Sequence, residues 1–396
     1  MKSIKLRSNF GKIYIEKLPS YLMMAIMGAI FARCLFLFVS RLLETVPFIC
    51  YDDLYIYSAI EEMSAAQIKN RIVFRNIYPM ISMILNPYHI GEYISAARLL
   101  NAVVFILMIV KLDKIAEMVD VPEKTKKALA LVFAFSPYFI IYSMVQLREV
   151  LCAYFVVYLF WAFISFEKKR HFSWVKTLII AALLYYTRTY VLEVIVAIIA
   201  LYKAKDSKWY VKLMLALFLV AAVGYFLSDA DYMYVLNDKI EFYVTEETLG
   251  GGFLSRIEVT GIENLYNLFL LLPFVQISPL PSSFQTEYYD SNSWAAIITY
   301  ASGIAAFFVP YFWLNTIRVL FSKESQVYSK LMLLFYLAFV GLIAIIEPQN
   351  ARFMFFTIPI FYFFGVDGFI KIRQENPKNI IWGLLFMFVP YLYILI

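Results

Sequence analysis

Charge is scarce in this chain. Of its 396 residues, 16% are charged and 62% are hydrophobic, whereas a soluble chain is about 25% charged and about 45–50% apolar. No water-soluble core of this length could hide so much apolar surface, so an ordinary soluble globule is excluded. Histidine is nearly missing, with His89 and His171 only, which excludes a histidine-rich metal centre. The three cysteines, Cys34, Cys50 and Cys152, have neither metal-ligand spacing nor a pairing pattern. Low-complexity tracts and internal repeats are absent. The net charge of +6 comes from short basic clusters between apolar runs, so nucleic acid is not an expected partner.

What is there is a series of apolar runs: 21–43, 95–112, 128–147, 150–166, 177–202, 212–228, 294–317, 330–346, 353–370 and 379–396. Most approach the ~20 residues that cross ~30 Å of hydrocarbon as a helix. Two shorter stretches, 77–88 and 264–278, are broken by Pro79, Pro87 and Pro273 and read as interfacial or re-entrant pieces. The expected fold is all-α: one membrane domain over 1–396, a polytopic transmembrane helical bundle of about 10–12 membrane helices. Two large outer loops, 44–94 and 229–293, are rich in Tyr, Phe, Ile and Leu and are expected to fold. The run 21–43 is too long for a signal-peptide core and is read as an uncleaved first helix.

Lysine and arginine set the orientation. With the N-terminus inside, the inner connections are 111–127, 167–176, 203–212, 318–330 and 371–378. Together with the N-terminal segment they hold 24 of the 35 basic residues. The run 177–202 has basic flanks on both sides, so it must go out and come back. Its turning point is Tyr186-Thr187-Arg188-Thr189-Tyr190, which places Arg188 deep in the structure on the outer side.

The outer side then gathers the reactive side chains. Asp52 and Asp53 stand just beyond the first helix. A carboxylate there can take a proton from a hydroxyl or hold a cation; its plain reading is a solvated acidic cap. Arg148 and Glu149 lie between two apolar runs, a costly place unless the charges are paired or used; the plain reading is an ion pair closing a turn. Arg188 and Arg352, with Arg98, suit phosphate because the guanidinium fork matches phosphate oxygens; the plain readings are headgroup contact or pairing with an acid. Acids and arginines beside a bilayer suggest chemistry on a lipid-linked phosphate.

In this arrangement the chain resembles the GT-C superfamily of integral membrane glycosyltransferases, which use polyprenyl-phosphate sugars. Asp52-Asp53-Leu54-Tyr55 resembles its acidic first-loop motif. Tyr78-Pro79-Met80 through Ala97-Arg98-Leu99-Leu100-Asn101 is similar to its proline stretch and following helix start. Ser136-Pro137 through Arg148-Glu149, Thr187-Arg188, and Arg352 through Pro359 follow in the expected order over about 45–370. The resemblance implies a catalytic Asp in the first loop acting as base on the acceptor hydroxyl; Asp52 and Asp53 both match, and Asp53 is slightly favoured. It implies phosphate binding by Arg188 and Arg352. Arg148-Glu149 departs from the commoner Ser-Glu and leaves the role of Arg148 open, and the soluble C-terminal domain of some members is missing.

The expected function is transfer of a sugar from a polyprenyl-phosphate donor to a glycan, lipid or protein acceptor on the outer face of the plasma membrane, with the N-terminus cytoplasmic. No cofactor is certain, although the adjacent carboxylates could hold a divalent metal. One alternative is a polysaccharide repeat-unit polymerase of the O-antigen or capsule kind, acting on a lipid diphosphate. Another is a lipid or solute transporter. It is disfavoured by the lack of internal repeats and by an expected gathering of buried charge on one side, away from the midplane.

Overall fold

A computed structural model describes residues 4–8, 11–15, 18–42, 93–144, 148–204, 208, 303–323, 326–346 and 356–388. From Leu18 onward the described residues are helices and their turns. Before them, β1 (Ile4–Ser8) and β2 (Gly11–Ile15) form an antiparallel hairpin with Ile4 opposite Ile15.

The helices are α1 (Ser20–Leu42), α2 (Tyr93–Met118), α3 (Glu123–Phe135), α4 (Pro137–Ser143), α5 (Glu149–Glu167), α6 (Trp174–Thr187), α7 (Thr189–Ala204), α8 (Val309–Phe321), α9 (Val327–Ile346), α10 (Ile358–Glu375) and α11 (Ile380–Met387). Among the described residues, Glu149–Glu167 and Gly303–Phe321 are long and apolar enough to cross a membrane by length and composition.

Local chemistry sets several boundaries. Glu123 opens α3 next to the positive helix start and pairs with Lys127 one turn on. Pro137 has no N–H to continue that helix, so the run 128–147, expected as one span, divides at Ser136 into α3 and α4. The Ser173 side chain accepts from the Lys176 N–H and caps α6.

The core is aromatic and apolar. α5 is buried nearly all round, as a uniformly apolar helix must be, and packs on α2. Phe133 stacks on Phe139 at 4.8 Å, and Tyr362 of α10 closes on Phe139 at 5.0 Å. Between α8 and α10 the backbones come so close that a Cβ on Gly368 would lie 2.4 Å from the Tyr311 carbonyl oxygen. Asn315 spans this seam, donating from Nδ2 to the Phe364 carbonyl at 2.9 Å and to Asp367 Oδ2 at 3.1 Å.

The outer faces are apolar as well. On α1, Ala25 and Ala29 face inward, while Met24, Met27, Phe31 and Phe38 are each more than 60% exposed. Trp174, Val175 and Leu178 of α6 and Ile381, Trp382 and Phe388 around α11 are also open.

Polar contacts gather many helix ends at one end of the bundle. Tyr21 at the start of α1 donates to Asp113 Oδ1 at 2.7 Å. Past the end of α5, Arg170 pairs with Glu117 at 3.4 Å and Lys168 donates to the Met118 carbonyl, both at the end of α2. Lys203 at the end of α7 pairs with Glu167. Gln326, just before α9, donates to Asp120 Oδ2. Arg318 of α8 forks onto Glu375 of α10 at 2.7 and 2.9 Å. This basic end carries the residues of 111–127, 167–176, 318–330 and 371–378 that the structure describes.

Candidate functional site

Helix α5 has Glu149 at one end and Glu167 at the other, about 27 Å apart at 1.5 Å per residue. Lys203 pairs with Glu167, at the basic end, and Arg188 pairs with Glu149, at the opposite end. The segment 174–204 therefore leaves the basic end, turns at Arg188 and returns, as its two basic flanks imply. The backbone breaks there because Arg188 takes φ −155° and ψ 80°, outside the helical region. Its N–H still donates to the Leu184 carbonyl at 2.7 Å, and its own carbonyl accepts from Val191 at 3.0 Å.

The site is a buried ion pair at a join of helix ends. Arg188 Nη2 lies 3.2 Å from Glu149 Oε1, with side-chain exposures of 9% and 2%. Glu149 sits where a helix dipole favours it, in the first turn of α5, while Arg188 lies between the negative end of α6 and the positive start of α7 and relies on Glu149 for its partner. Arg148, the N-cap residue of α5, is half-buried beside them. Arg148 adjoins Glu149 at the start of α5, and Glu149 holds Arg188, so the three charges lie at one helix end. A guanidinium held by a carboxylate in a desolvated niche is oriented in advance and can share itself with a second anion.

Of the residues singled out in the sequence, the structure brings together Glu149 and Arg188 with Arg148 at their side. Arg98 stands in the first turns of α2. Asp52, Asp53 and Arg352 lie outside the described residues, as do the loop 229–293 and most of the loop 44–94. The chain matches no known family, no curated protein and no solved structure. Among the described residues, no group of three or more His, Cys, Asp or Glu side chains is placed to hold a metal ion.

Two buried charges were missed, Asp367 at the α8–α10 seam and Arg33 on α1. Arg33 lies on α1 about 18 Å past Tyr21 and is only 2% exposed. Its Nε donates to Ser143 Oγ at 2.8 Å, and its Nη1 donates to the carbonyls of Ala29 and Ala134 at 3.0 and 3.3 Å. Nη2 reaches the Phe139 carbonyl at 3.4 Å, and the Phe105 ring lies 4.0 Å below the guanidinium. Arg33 thus satisfies the Ala134 carbonyl, which the break at Pro137 leaves without a helical donor at the negative end of α3, and ties it to Phe139 and Ser143 of α4. The expected gathering of buried charge on one side, away from the midplane, is not observed: Glu149 and Arg188 lie at one end of the bundle and Arg33 partway along it. The signal was present: a lone arginine in the middle of an apolar run must find polar partners.

Proposed function

We propose that this chain is a multi-spanning membrane glycosyltransferase that uses a polyprenyl-phosphate sugar as donor. The observation that carries the reading is the Arg188–Glu149 pair: a pre-oriented guanidinium, buried between two helix ends, at the end of the bundle away from the lysines. The membrane part of the reading is supported by the apolar outward faces of α1, α6 and α11, which in water would be exposed patches without a purpose. It is also supported by the sorting of basic helix ends to one end, which then faces the cytoplasm.

In the proposed reaction Asp53, or its neighbour Asp52, takes the proton from the acceptor hydroxyl. The acceptor oxygen bonds to the anomeric carbon, and the bond from that carbon to the phosphate oxygen breaks. Polyprenyl phosphate leaves with the electron pair. Arg188 stabilises the charge that grows on the phosphate, and Glu149 fixes the guanidinium's direction. Arg352, Arg98 and Arg148 complete the positive surround on the outer face.

The test is transfer from radiolabelled polyprenyl-phosphate sugars by membranes carrying the chain. Wild type should transfer label. Asp53→Asn and Arg188→Ala should each lose about 100-fold or more, the range of a lost general base or a lost charge-stabilising donor. Full activity in Asp53→Asn and Asp52→Asn would overturn the mechanism. Transfer only from a lipid-diphosphate glycan would move the chain to the polymerase class.

A further inference from the structure

The turn from α5 to α6 has a chemistry that the transferase reading does not use. Its helix ends close in a left-handed turn: Lys169 has φ 52°, and the Arg170 N–H donates back to the Ser165 carbonyl at 2.8 Å. Glycine is the residue that takes this conformation without strain. A lysine stands here instead, and it is exposed.

The neighbouring charges are already engaged. The nearby acids are Glu117, paired with Arg170, and Glu167, paired with Lys203; Lys168 is spent on the Met118 carbonyl. Lys169, together with Lys176 one turn into α6, is thus a surplus of positive charge with no acidic partner among the described residues. The same turn carries an aromatic cluster. Phe166, Phe172 and Trp174 meet edge to face, with ring centroids 4.8 to 5.8 Å apart. Phe166 and Trp174 are 45% and 59% exposed, and Val175, Leu178 and Ile179, on either side of Lys176 in α6, are open as well.

Exposed lysines, aromatics and bare aliphatics together on one helix turn offer what a phospholipid needs: cations for its phosphate, rings at the interface and apolar surface for its acyl chains. We infer that the α5–α6 turn is a seat for an anionic phospholipid. Lys169 and Lys176 hold the headgroup phosphate, and Trp174 and Phe166 mark the depth at which the acyl chains begin. The inference rests on the membrane reading above, and the occupant follows from charge: a zwitterionic headgroup offers no net charge to the surplus lysines.

The test is a thermal-shift titration of the intact chain in a neutral detergent, with short-chain phosphatidylglycerol, short-chain phosphatidylcholine and inorganic phosphate as separate probes. Phosphatidylglycerol should raise the melting temperature saturably, phosphatidylcholine should not, and added salt should weaken the effect. Lys169→Gly should fold at least as well as wild type, because glycine relieves the left-handed turn. It should nevertheless bind phosphatidylglycerol about fivefold more weakly, as should Lys176→Gln; the pair should lose roughly 25-fold. Equal shifts with phosphatidylcholine, equal shifts with inorganic phosphate, or a double variant that titrates like wild type would each overturn the inference. A chain that stays monodisperse without detergent would instead overturn the membrane reading itself.

Discussion

Arg188 and Glu149 lie 39 positions apart in the chain and 3.2 Å apart in space, both buried. Removing one partner strands the other charge. Glu149→Ala should therefore cost about 3–5 kcal/mol, while replacing both by leucine should cost much less than the sum of the two single changes. Thermal unfolding of the single and double variants in detergent checks this. Additive losses would mean that the pair is not coupled.

Arg33 ties α1 to the break between α3 and α4. Arg33→Met keeps much of the volume but leaves the Ala134 and Phe139 carbonyls and Ser143 without this donor. It should cost about 2–4 kcal/mol, more than Ser143→Ala, which removes the bond from Arg33 and the Ser143 bond to the Ile140 carbonyl but leaves the guanidinium its carbonyl partners. Comparing the two melting temperatures decides whether the arginine holds the break or merely fills space.

The α8–α10 seam should discriminate between two glycines. A Cβ on Gly368 meets the rigid Tyr311 backbone at 2.4 Å, whereas one on Gly365 meets the Phe308 Cβ at 3.1 Å. Gly368→Ala should cost at least about 2 kcal/mol, because only separation of the helices relieves it, and Gly365→Ala should cost clearly less. The order of their melting temperatures is the readout.

Two carboxyls at the basic end should respond to acid in opposite directions. The Arg318 fork holds Glu375 below the ordinary glutamate range. Its stabilisation is present above the unfolded value and is lost as pH falls through the lower folded one. Asp113, in the connection 111–127, is pushed up by burial, against the pull of the Tyr21 hydrogen bond. Its ionised form opposes folding, so stability is regained as pH falls through its raised value. Glu375→Gln should flatten the acid limb of a stability–pH curve. Asp113→Asn, which can still accept from Tyr21, should raise stability at neutral pH.

Much of this architecture was legible because lipid-scale patterns are coarse. Basic flanks on both sides of 177–202 were enough to place a turn at Arg188, and the uniformly apolar run 150–166 became the central α5. The pairing of Arg188 with Glu149 was not legible, since neither spacing nor periodicity links residues on different helices. The break at Pro137 was written in the sequence but overridden by the length of the apolar run around it. Arg33 was passed over for the same reason: one charge hardly changes the average of a long hydrophobic window, although it decides what that helix must pack against.

The hairpin made by α6 and α7 starts and finishes at the same end of the bundle, so it contributes nothing to the parity of the chain's traverses. The helices described after Ala204 keep their direction whether or not the hairpin is there. Such a unit can be lengthened, shortened or exchanged as a cassette without inverting anything downstream, a freedom that a segment crossing from one end to the other does not have.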